Sequence, residues 1–236
     1  MIKAAIDKVL SLGGYKEVTI NGRTYSNGPS GILAIEPPKA ETLKINTLTG
    51  VVDFFEDSSE ELEMIAHVID HKTVSLLERG FTDAWLTRST YLTAVHESPV
   101  FKFGQFYDVE MFIIAIQSLF VQDETTALIL KLIGNVKDEG VSNFNDDGIT
   151  QQVTAKTGIS LVSNVPVPNP VTLRPYRTFM EIEQPASTFV FRIKGNKGEA
   201  PICALFEADG RMWGLTAIQS IKAWLSEKIP ETKIIA

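Results

Sequence analysis

Apolar residues are densest between positions 109 and 121, and polar residues mark where this segment begins. Asp108 is a suitable N-cap, and Glu110 stands in the first turn, where the helix dipole stabilises a carboxylate. The block Met111-Phe112-Ile113-Ile114-Ala115-Ile116 is apolar on nearly all sides, so we expect a helix that is buried all round. A second helical pattern covers Asp123–Ile133 and stops at Gly134-Asn135. Together the two segments predict a central layer of apolar helices.

Alternating apolar and polar positions predict strands in much of the remaining chain. Asn21-Gly22 separates two alternating runs between Glu17 and Tyr25, which is the strongest short-range signal for a β-hairpin. Asp209-Gly210 is a second turn signal, and we expect it to fold a strand back onto Arg211–Leu215. The other predicted strands are Leu43–Ile45, residues 73–78 and 84–96, Ile149–Leu161, Val171–Glu183, Thr188–Lys194 and Pro201–Ala208.

Three further segments carry helix signals. Residues 1–10 form a short amphipathic pattern, with charges interspersed in a way that does not suit an export signal. Ser58-Ser59-Glu60-Glu61 is a capping box that predicts a helix extending to about Asp70. Thr216-Ala217-Ile218-Gln219 is a second capping box, and the helix after it should bury Ile218, Ile221, Leu225 and Ile229.

These elements predict an α+β fold in which antiparallel hairpins and sheets pack on a central layer of apolar helices. We expect residues 1–40 to form an N-terminal arm of a helix and a β-hairpin. Residues 41–236 should then form a single α+β domain.

Composition and charge exclude several classes of protein. Hydrophobic residues make up 44% of the chain and charged residues 22%, as in ordinary globular proteins. The formal charge of −7 disfavours direct binding to duplex DNA. Cys203 is the only cysteine and lies in an apolar run, which predicts a buried thiol in a reducing compartment. The longest apolar block is too short for a membrane span, which needs about 20 residues, so we predict no membrane segment.

Three fragments of catalytic or metal-binding motifs lack their essential partners. Lys156-Thr157-Gly158 matches a motif of penicillin-recognising enzymes, but the Ser-x-x-Lys nucleophile motif is missing. Gly28-Pro29-Ser30-Gly31-Ile32 lacks the second glycine of a nucleophile elbow. Asn143–Gly148 resembles the start of an EF-hand loop, but its twelfth position is Thr154 and not a glutamate. We therefore predict no catalytic residue and no cofactor.

A metal site is the first alternative for the polar residues. On the predicted helix, Glu63, His67 and His71 are one turn apart and would share a face, as helical metal ligands do. His96 could complete the set. The alternative interpretation is a solvated helix face with His71 near the C-terminal end of the dipole.

An anion-binding site is the second alternative. On an extended strand Val171–Glu183, Arg177 lies on one face, and Lys156 and Arg192 lie on neighbouring strands within reach of it. Arg174 and Tyr176 would bind the anion instead if the opposite face of this strand is the exposed one. Arginine suits phosphate or carboxylate because it forms bidentate hydrogen bonds. The competing interpretation is an exposed sheet in which these cations pair with Glu181 and Glu183.

Several segments, in their order along the chain and in their pattern of residues, resemble the YfdQ-like family of bacteriophage and prophage proteins of unknown function. The segments are Leu48–Phe55, Phe103–Phe112, Asp146–Val153 and Phe189–Arg192 followed by the closing helix, and the resemblance covers residues 40–230. It implies a phage-derived protein that acts inside the bacterial cell. It implies no activity and no catalytic residues.

The sequence and the resemblance together favour a non-enzymatic accessory or host-interaction protein that acts by binding. Its partner would be a host or phage protein or a small anionic molecule, and its location the cytoplasm of the infected bacterium. The surplus of apolar helix also predicts a homo-oligomer, most simply a dimer. Two alternatives stay open: a hydrolytic enzyme acting on a nucleotide or carbohydrate, and an accessory factor of phage DNA replication or recombination that is recruited through protein contacts.

Overall fold

The computed structural model of the chain describes residues 3–6, 8, 17–20, 22–28, 31–35, 40–59, 62–80, 88–137, 144–146, 151–156, 162–195 and 200–236. We label four of its helices α1 (Leu48–Ser58), α2 (Val109–Leu119), α3 (Glu124–Lys137) and α4 (Met212–Lys228). Residues 3–6 and 8 are also helical. Helices and several antiparallel sheets occur together, which confirms the predicted α+β class.

One sheet has five strands, β4 (Leu43–Ile45), β5 (Met64–Asp70), β6 (Thr73–Glu78), β7 (Thr90–Val95) and β15 (Lys233–Ile235). Their order is β15-β5-β6-β7-β4. The central strands β5, β6 and β7 are antiparallel, whereas both edge strands run parallel to their neighbours. The predicted strands at Leu43–Ile45 and residues 73–78 are confirmed.

Helices α1 and α4 pack on this sheet and form the first core. Helix α1 begins after Thr47, whose hydroxyl accepts a hydrogen bond from Gly50 N at 3.1 Å. Its Leu48 and Val51 are fully buried. The predicted buried face of the C-terminal helix is confirmed, since α4 buries Ile221 and Leu225 here.

A second sheet has the order β12-β13-β14-β8 and consists of β8 (Tyr107–Asp108), β12 (Val171–Leu173), β13 (Ser187–Lys194) and β14 (Ile202–Glu207). Alternate residues of β13 are buried, as expected for a strand with one face on a core. Phe189 and Phe191 pack with Phe112 of α2 and with Ile129 and Ile133 of α3. This second core contains the predicted layer of apolar helices.

Helix α2 begins as predicted but is not buried all round. Asp108 is its N-cap and accepts a hydrogen bond from Met111 N at 2.9 Å. Phe112 and Ile116 are fully buried, whereas Met111 and Ile114 are about half exposed. The sheet covers only one face of the helix, so the apolar residues of the opposite face remain at the surface.

Two small sheets complete the described structure. The first contains β1 (Glu17–Ile20), β2 (Arg23–Gly28) and β3 (Gly31–Ala34), and the second contains β9 (Phe144–Asp146), β10 (Gln151–Lys156) and β11 (Val162–Val167). The hairpin predicted from Asn21-Gly22 is confirmed, because Ile20 pairs with Arg23 and Gly22 has a φ of 76°. Within the described chain, β1, β2 and β3 pair only with one another, and the proposed boundary at residue 40 stays a prediction.

Two helix predictions are wrong. The predicted helix from Ser58 to Asp70 is replaced after residue 62 by β5, which pairs with β6 on one side and β15 on the other. These non-local strand pairs outweigh the local capping signal, since Met64, Ile65 and Ala66 are buried in the sheet. Helix α3 continues through Gly134, which was expected to stop it, to Lys137. Packing of Leu132 and Ile133 in the core offsets the cost of a helical glycine, about 1 kcal/mol.

The turn at Asp209-Gly210 leads into a helix and not into the predicted strand. Helix α4 already begins at Met212, four residues before the predicted capping box at Thr216. Gly210 and Arg211 both have positive φ values, 61° and 67°, which redirect the chain from β14 into α4.

Of the other predicted strands, Thr188–Lys194 is confirmed, and the region 84–96 contains β7, while residues 81–87 lie outside the described structure. The region Ile149–Leu161 contains β10, and its flanking residues lie outside the described structure. In the described chain, no helix is long and apolar enough to cross a membrane. Cys203 is buried as predicted, and burial raises the pKa of its thiol to about 12, so the thiol stays protonated.

Candidate functional site

A cavity of about 490 Å³ lies between the two cores, where loops from both sheets meet. The first core contributes the turn between β5 and β6 with His71 and Lys72, and the end of β7 with His96. The second core contributes the segment Pro175–Arg177 that follows β12. The start of α4 closes one side with Trp213. The cavity is therefore built from residues that are far apart in the sequence.

The segment after β12 is not the strand that was predicted over Val171–Glu183. Strand β12 ends at Leu173, and the side chain of Gln184 then organises a compact loop. Its Oε1 accepts hydrogen bonds from Arg177 N at 2.9 Å and Thr178 N at 3.3 Å, and its Nε2 donates to Thr178 O at 3.2 Å. Pro175, which has no N–H, also disfavours a continued strand.

This loop connects the two cores. Leu173 is buried in the second core and Phe179 in the first, both with no exposed surface. The Thr178 hydroxyl donates to the backbone oxygen of His71 at 2.5 Å, which attaches the loop to the β5–β6 turn. Arg177 is therefore held at the boundary between the cores.

The Arg177 side chain is 9% exposed and is the central charged group of the site. Its guanidinium carbon lies 3.6 Å from the ring centroid of Trp213, in a cation–π stack. Nη1 donates to Glu207 Oε1 at 2.7 Å, and Nη2 donates to Ser187 Oγ at 2.5 Å. Burial lowers the pKa of Arg177 to about 10, although Glu207 and Asp209 oppose the shift, so the group stays charged at neutral pH.

Asp209 fixes the start of α4 beside this arginine. Its Oδ2 accepts from Ser187 Oγ at 2.6 Å, and its Oδ1 accepts from Arg211 N at 3.0 Å. Arg211 has a φ of 67°, an uncommon conformation for a non-glycine residue and one that often marks functional sites. The side chain of Arg211, which is the N-cap residue of α4, makes no capping hydrogen bond.

Three nitrogens of the cavity-lining residues are shielded from solvent and lack a hydrogen-bond partner within the described structure. They are Arg177 Nε, Trp213 Nε1 and His96 Nε2. Buried polar groups are nearly always paired, so three such atoms around one cavity are unusual. Arg177 Nε and Trp213 Nε1 can each donate a hydrogen bond that the described protein does not use, and His96 Nε2 can donate or accept one, depending on its tautomer.

The cavity is more positive than the chain as a whole. Lys72, Arg177 and Arg211 line it against the carboxylates Glu97 and Glu207, whereas the chain carries a formal charge of −7. Arg177 is paired with Glu207, but the side chains of Lys72 and Arg211 form no ion pair with any residue that the structure describes.

Both histidines of the cavity are shifted towards the neutral form. Burial lowers the pKa of His71, and the charges of Lys72, Arg177 and Arg211 lower it further, while Asp70 opposes them. Burial also lowers the pKa of His96, against the opposing charge of Glu181. At pH 7 both imidazoles are therefore neutral.

Two of the five predicted anion-binding residues, Arg177 and Tyr176, line the cavity. Arg174 does not, because it pairs with Glu183 at 2.9 Å and Asp123 at 3.4 Å. The expectation that Glu181 pairs with these cations is wrong, since Glu181 Oε1 accepts from Leu48 N at 2.7 Å.

The other two predicted anion-binding residues lie elsewhere. Arg192 is on β13, where Nη1 donates to Phe191 O at 3.3 Å, and it is not among the cavity-lining residues. Lys156 ends β10, which belongs to the small sheet of β9, β10 and β11; its side chain lies outside the described part of the structure. Arg192, one of the predicted strand neighbours of Arg177, thus lies outside the cavity lining, and the placement of the Lys156 side chain near Arg177 stays a prediction.

The helical geometry assumed for the metal site is wrong. His67 lies on β5 and pairs with Ser75 of β6, while His71 lies in the turn after β5 and lines the cavity. The ring of His71 packs against Trp213, with centroids 4.8 Å apart and nearly perpendicular planes. The described residues contain no group of three or more side chains able to hold a metal ion.

Sequence reasoning missed Trp213, Lys72, Arg211 and Glu207. The Asp209-Gly210 turn was the available signal, because a turn brings its flanking residues to one place. It was interpreted as a hairpin, which placed Arg211 and Trp213 on a strand. Ser187 Oγ donates to Asp209 Oδ2 and accepts from Arg177 Nη2, and it has no histidine partner among the described residues.

A scan against models of protein families found no match to this chain, and searches of the curated proteins and the solved structures also found none. The interpretation of the site therefore depends on its own geometry. Its features are a cavity at the boundary of two cores, a buried arginine stacked on an indole, and hydrogen-bonding groups without partners.

Proposed function

We propose that the protein binds a small organic molecule in this cavity and holds it without changing it chemically. The observation that carries the proposal is the set of three shielded, unpaired nitrogens on Arg177, Trp213 and His96. Leaving a buried polar group unpaired costs about 1–3 kcal/mol. A bound molecule with suitably placed hydrogen-bonding atoms would recover part of this cost, after small side-chain adjustments that bring the groups into contact.

The size of the cavity supports the same function. Ligand pockets typically have volumes of about 300–1,000 Å³, and this cavity has about 490 Å³. The two cores hold its walls from opposite sides, so the binding groups are largely preformed. A preformed site loses less conformational entropy when the ligand binds.

The biological role that we propose follows from the family resemblance. The protein would act as a phage-encoded accessory protein in the cytoplasm of the infected bacterium, where it sequesters a host metabolite or signal molecule. We also propose a homo-oligomer, because Met111 and Ile114 of α2 and Leu128 of α3 are exposed apolar residues. Sedimentation that gives only a monomer at micromolar concentration would contradict the oligomer.

Native mass spectrometry of protein purified from bacteria that express it tests the binding function. We expect a mass above that of the chain, and release of an intact small molecule after denaturation. Val100→Trp places a bulky side chain at a cavity-lining residue that is 74% exposed, and it should reduce the retained molecule. Val18→Trp, on β1 and also exposed, is the matched control and should retain it.

Two results would contradict the proposal. One is conversion of the released molecule into a product when it is incubated again with the purified protein, which would indicate catalysis. The other is equal retention by the Val100→Trp and wild-type proteins, which would place the molecule outside the cavity.

A further inference from the structure

We infer that the ligand is a small organic anion with a flat apolar body, whose charged group lies beside Lys72 and Arg211. This inference rests on the proposed binding function and specifies its ligand. It follows from two features of the cavity: a group of positive charges around His71, and aromatic side chains beside them.

The positive charges gather around His71. Lys72 follows it in the β5–β6 turn, and Arg177 and Arg211 are close enough for their charges to lower the pKa of His71. Glu207 pairs with Arg177, whereas Lys72 and Arg211 form no ion pair with any residue that the structure describes. The carboxylate of Glu97 lines the cavity and opposes their charge, and so does Asp70, whose charge raises the pKa of His71.

The start of α4 also lines the cavity, through Arg211 and Trp213. Asp209 already occupies the end of this helix, because its Oδ1 accepts from Arg211 N at 3.0 Å and its backbone oxygen accepts from Met212 N at 3.2 Å. The helix end itself is therefore no part of the anion site. The indole of Trp213, the second residue of α4, is 7% exposed and contributes one of the unpaired nitrogens.

Aromatic side chains form another part of the wall, and the ring centroid of Phe103 lies 5.6 Å from the guanidinium carbon of Arg177. Phe101 and Phe103 lie with their ring centroids 5.0 Å apart, and both line the cavity together with Val100 and Leu119. Val100 is apolar and lies at the rim of the cavity, where 74% of its surface is exposed. Flat rings gain most from packing against such a wall, through apolar contact and ring stacking.

Two dyes with closely similar aromatic bodies provide the test: anilinonaphthalene sulfonate, which is an anion, and N-phenylnaphthylamine, which is neutral. Their fluorescence increases in an apolar site, so titration gives a dissociation constant for each. We expect the sulfonate to bind more tightly. Lys72→Gln and Arg211→Asn should each weaken the sulfonate about two- to fivefold and leave the neutral dye unchanged. Asn tolerates the positive φ of residue 211, so the second variant removes the charge without added backbone strain.

Glu97→Gln changes the charge of the cavity in the opposite direction. It removes a carboxylate from the cavity and should tighten sulfonate binding by a similar factor, again without affecting the neutral dye. Arg211→Lys keeps the charge and should bind like the wild type. Val100→Trp should weaken both dyes, which would place them in the cavity.

The possible failures are distinguishable. Both dyes could bind the wild type with equal affinity, bind Val100→Trp more weakly, and bind Lys72→Gln, Arg211→Asn and Glu97→Gln like the wild type. In that case the binding function stands and the anionic ligand is refuted. If neither dye binds, or if Val100→Trp binds both like the wild type, the cavity is not their site and the proposed function loses support together with the inference.

Discussion

Arg174 and Arg177 are three residues apart in the loop that connects the two cores, yet their surroundings differ. Arg174 pairs with two carboxylates, Glu183 and Asp123, and 30% of its side chain is exposed. Arg177 is 9% exposed, stacks on Trp213 and keeps an unpaired Nε. The Arg174 surroundings are those of an ordinary surface ion pair.

The difference separates an arginine of a surface ion pair from a candidate binding arginine. In a surface pair such as Arg174–Glu183, the guanidinium exchanges contacts with water for contacts with a carboxylate, which contributes little to the free energy of folding. Burying Arg177 costs desolvation free energy, and its hydrogen bonds and stacking only partly offset that cost. Beside a cavity, such incomplete compensation indicates a group that is held ready for a ligand.

The largest expected effect comes from removing each arginine in turn. Arg177→Ala should lower the free energy of unfolding by about 3 kcal/mol, because it leaves Glu207 without its partner and Trp213 without its stacked group. Arg174→Ala should lower it by less than about 1 kcal/mol. Urea unfolding followed by circular dichroism measures both. Equal losses in the two variants would remove the distinction between the two arginines.

Arg177→Lys is the control for that comparison. It keeps the positive charge but loses the planar guanidinium that stacks on the indole and reaches both Glu207 and Ser187. We expect a stability between those of the wild type and Arg177→Ala.

The second prediction concerns pH and has a smaller effect. Burial lowers the pKa of His71 and His96 below the ordinary value of 6.5, so the unfolded chain takes up protons at a higher pH than the folded chain. Their contribution to stability is complete above pH 6.5 and decreases as the pH falls through the folded pKa.

The urea concentration at the midpoint of unfolding, measured between about pH 7.5 and 5.5, checks this prediction. The midpoint of the wild type should fall over this range, and His71→Gln together with His96→Gln should flatten the dependence. His67→Gln leaves both cavity histidines in place and serves as the control. A double variant with the same pH dependence as the wild type would contradict the prediction.

The sequence predicted the elements whose signals are local. Asp108 caps α2, and Gly22 supplies the positive φ of the first hairpin, because a few neighbouring residues determine each feature. The prediction of a helix after Ser58 is wrong because strand β5 forms there and is stabilised by two partner strands, one of them near the C-terminus.

The site was predictable only in part for the same reason. Arg177 was recognised as a residue type suited to anions, but its surroundings depend on Gln184, which replaces the expected strand by a loop. Trp213 and Lys72 line one cavity only after α4 has packed on the sheet of β5 and β6. No short-range pattern connects positions so far apart in the chain.

The most direct test of the central claim is nuclear magnetic resonance of nitrogen-labelled protein during titration with anilinonaphthalene sulfonate. Trp213→Phe assigns the indole N–H signal of Trp213, and Trp224, outside the cavity lining, provides an internal reference. If the unpaired Nε1 of Trp213 gains an acceptor, its N–H proton signal should move downfield as the dye saturates, while the signal of Trp224 stays in place. A Trp213 signal that stays fixed while the dye binds would contradict a ligand site at this cavity.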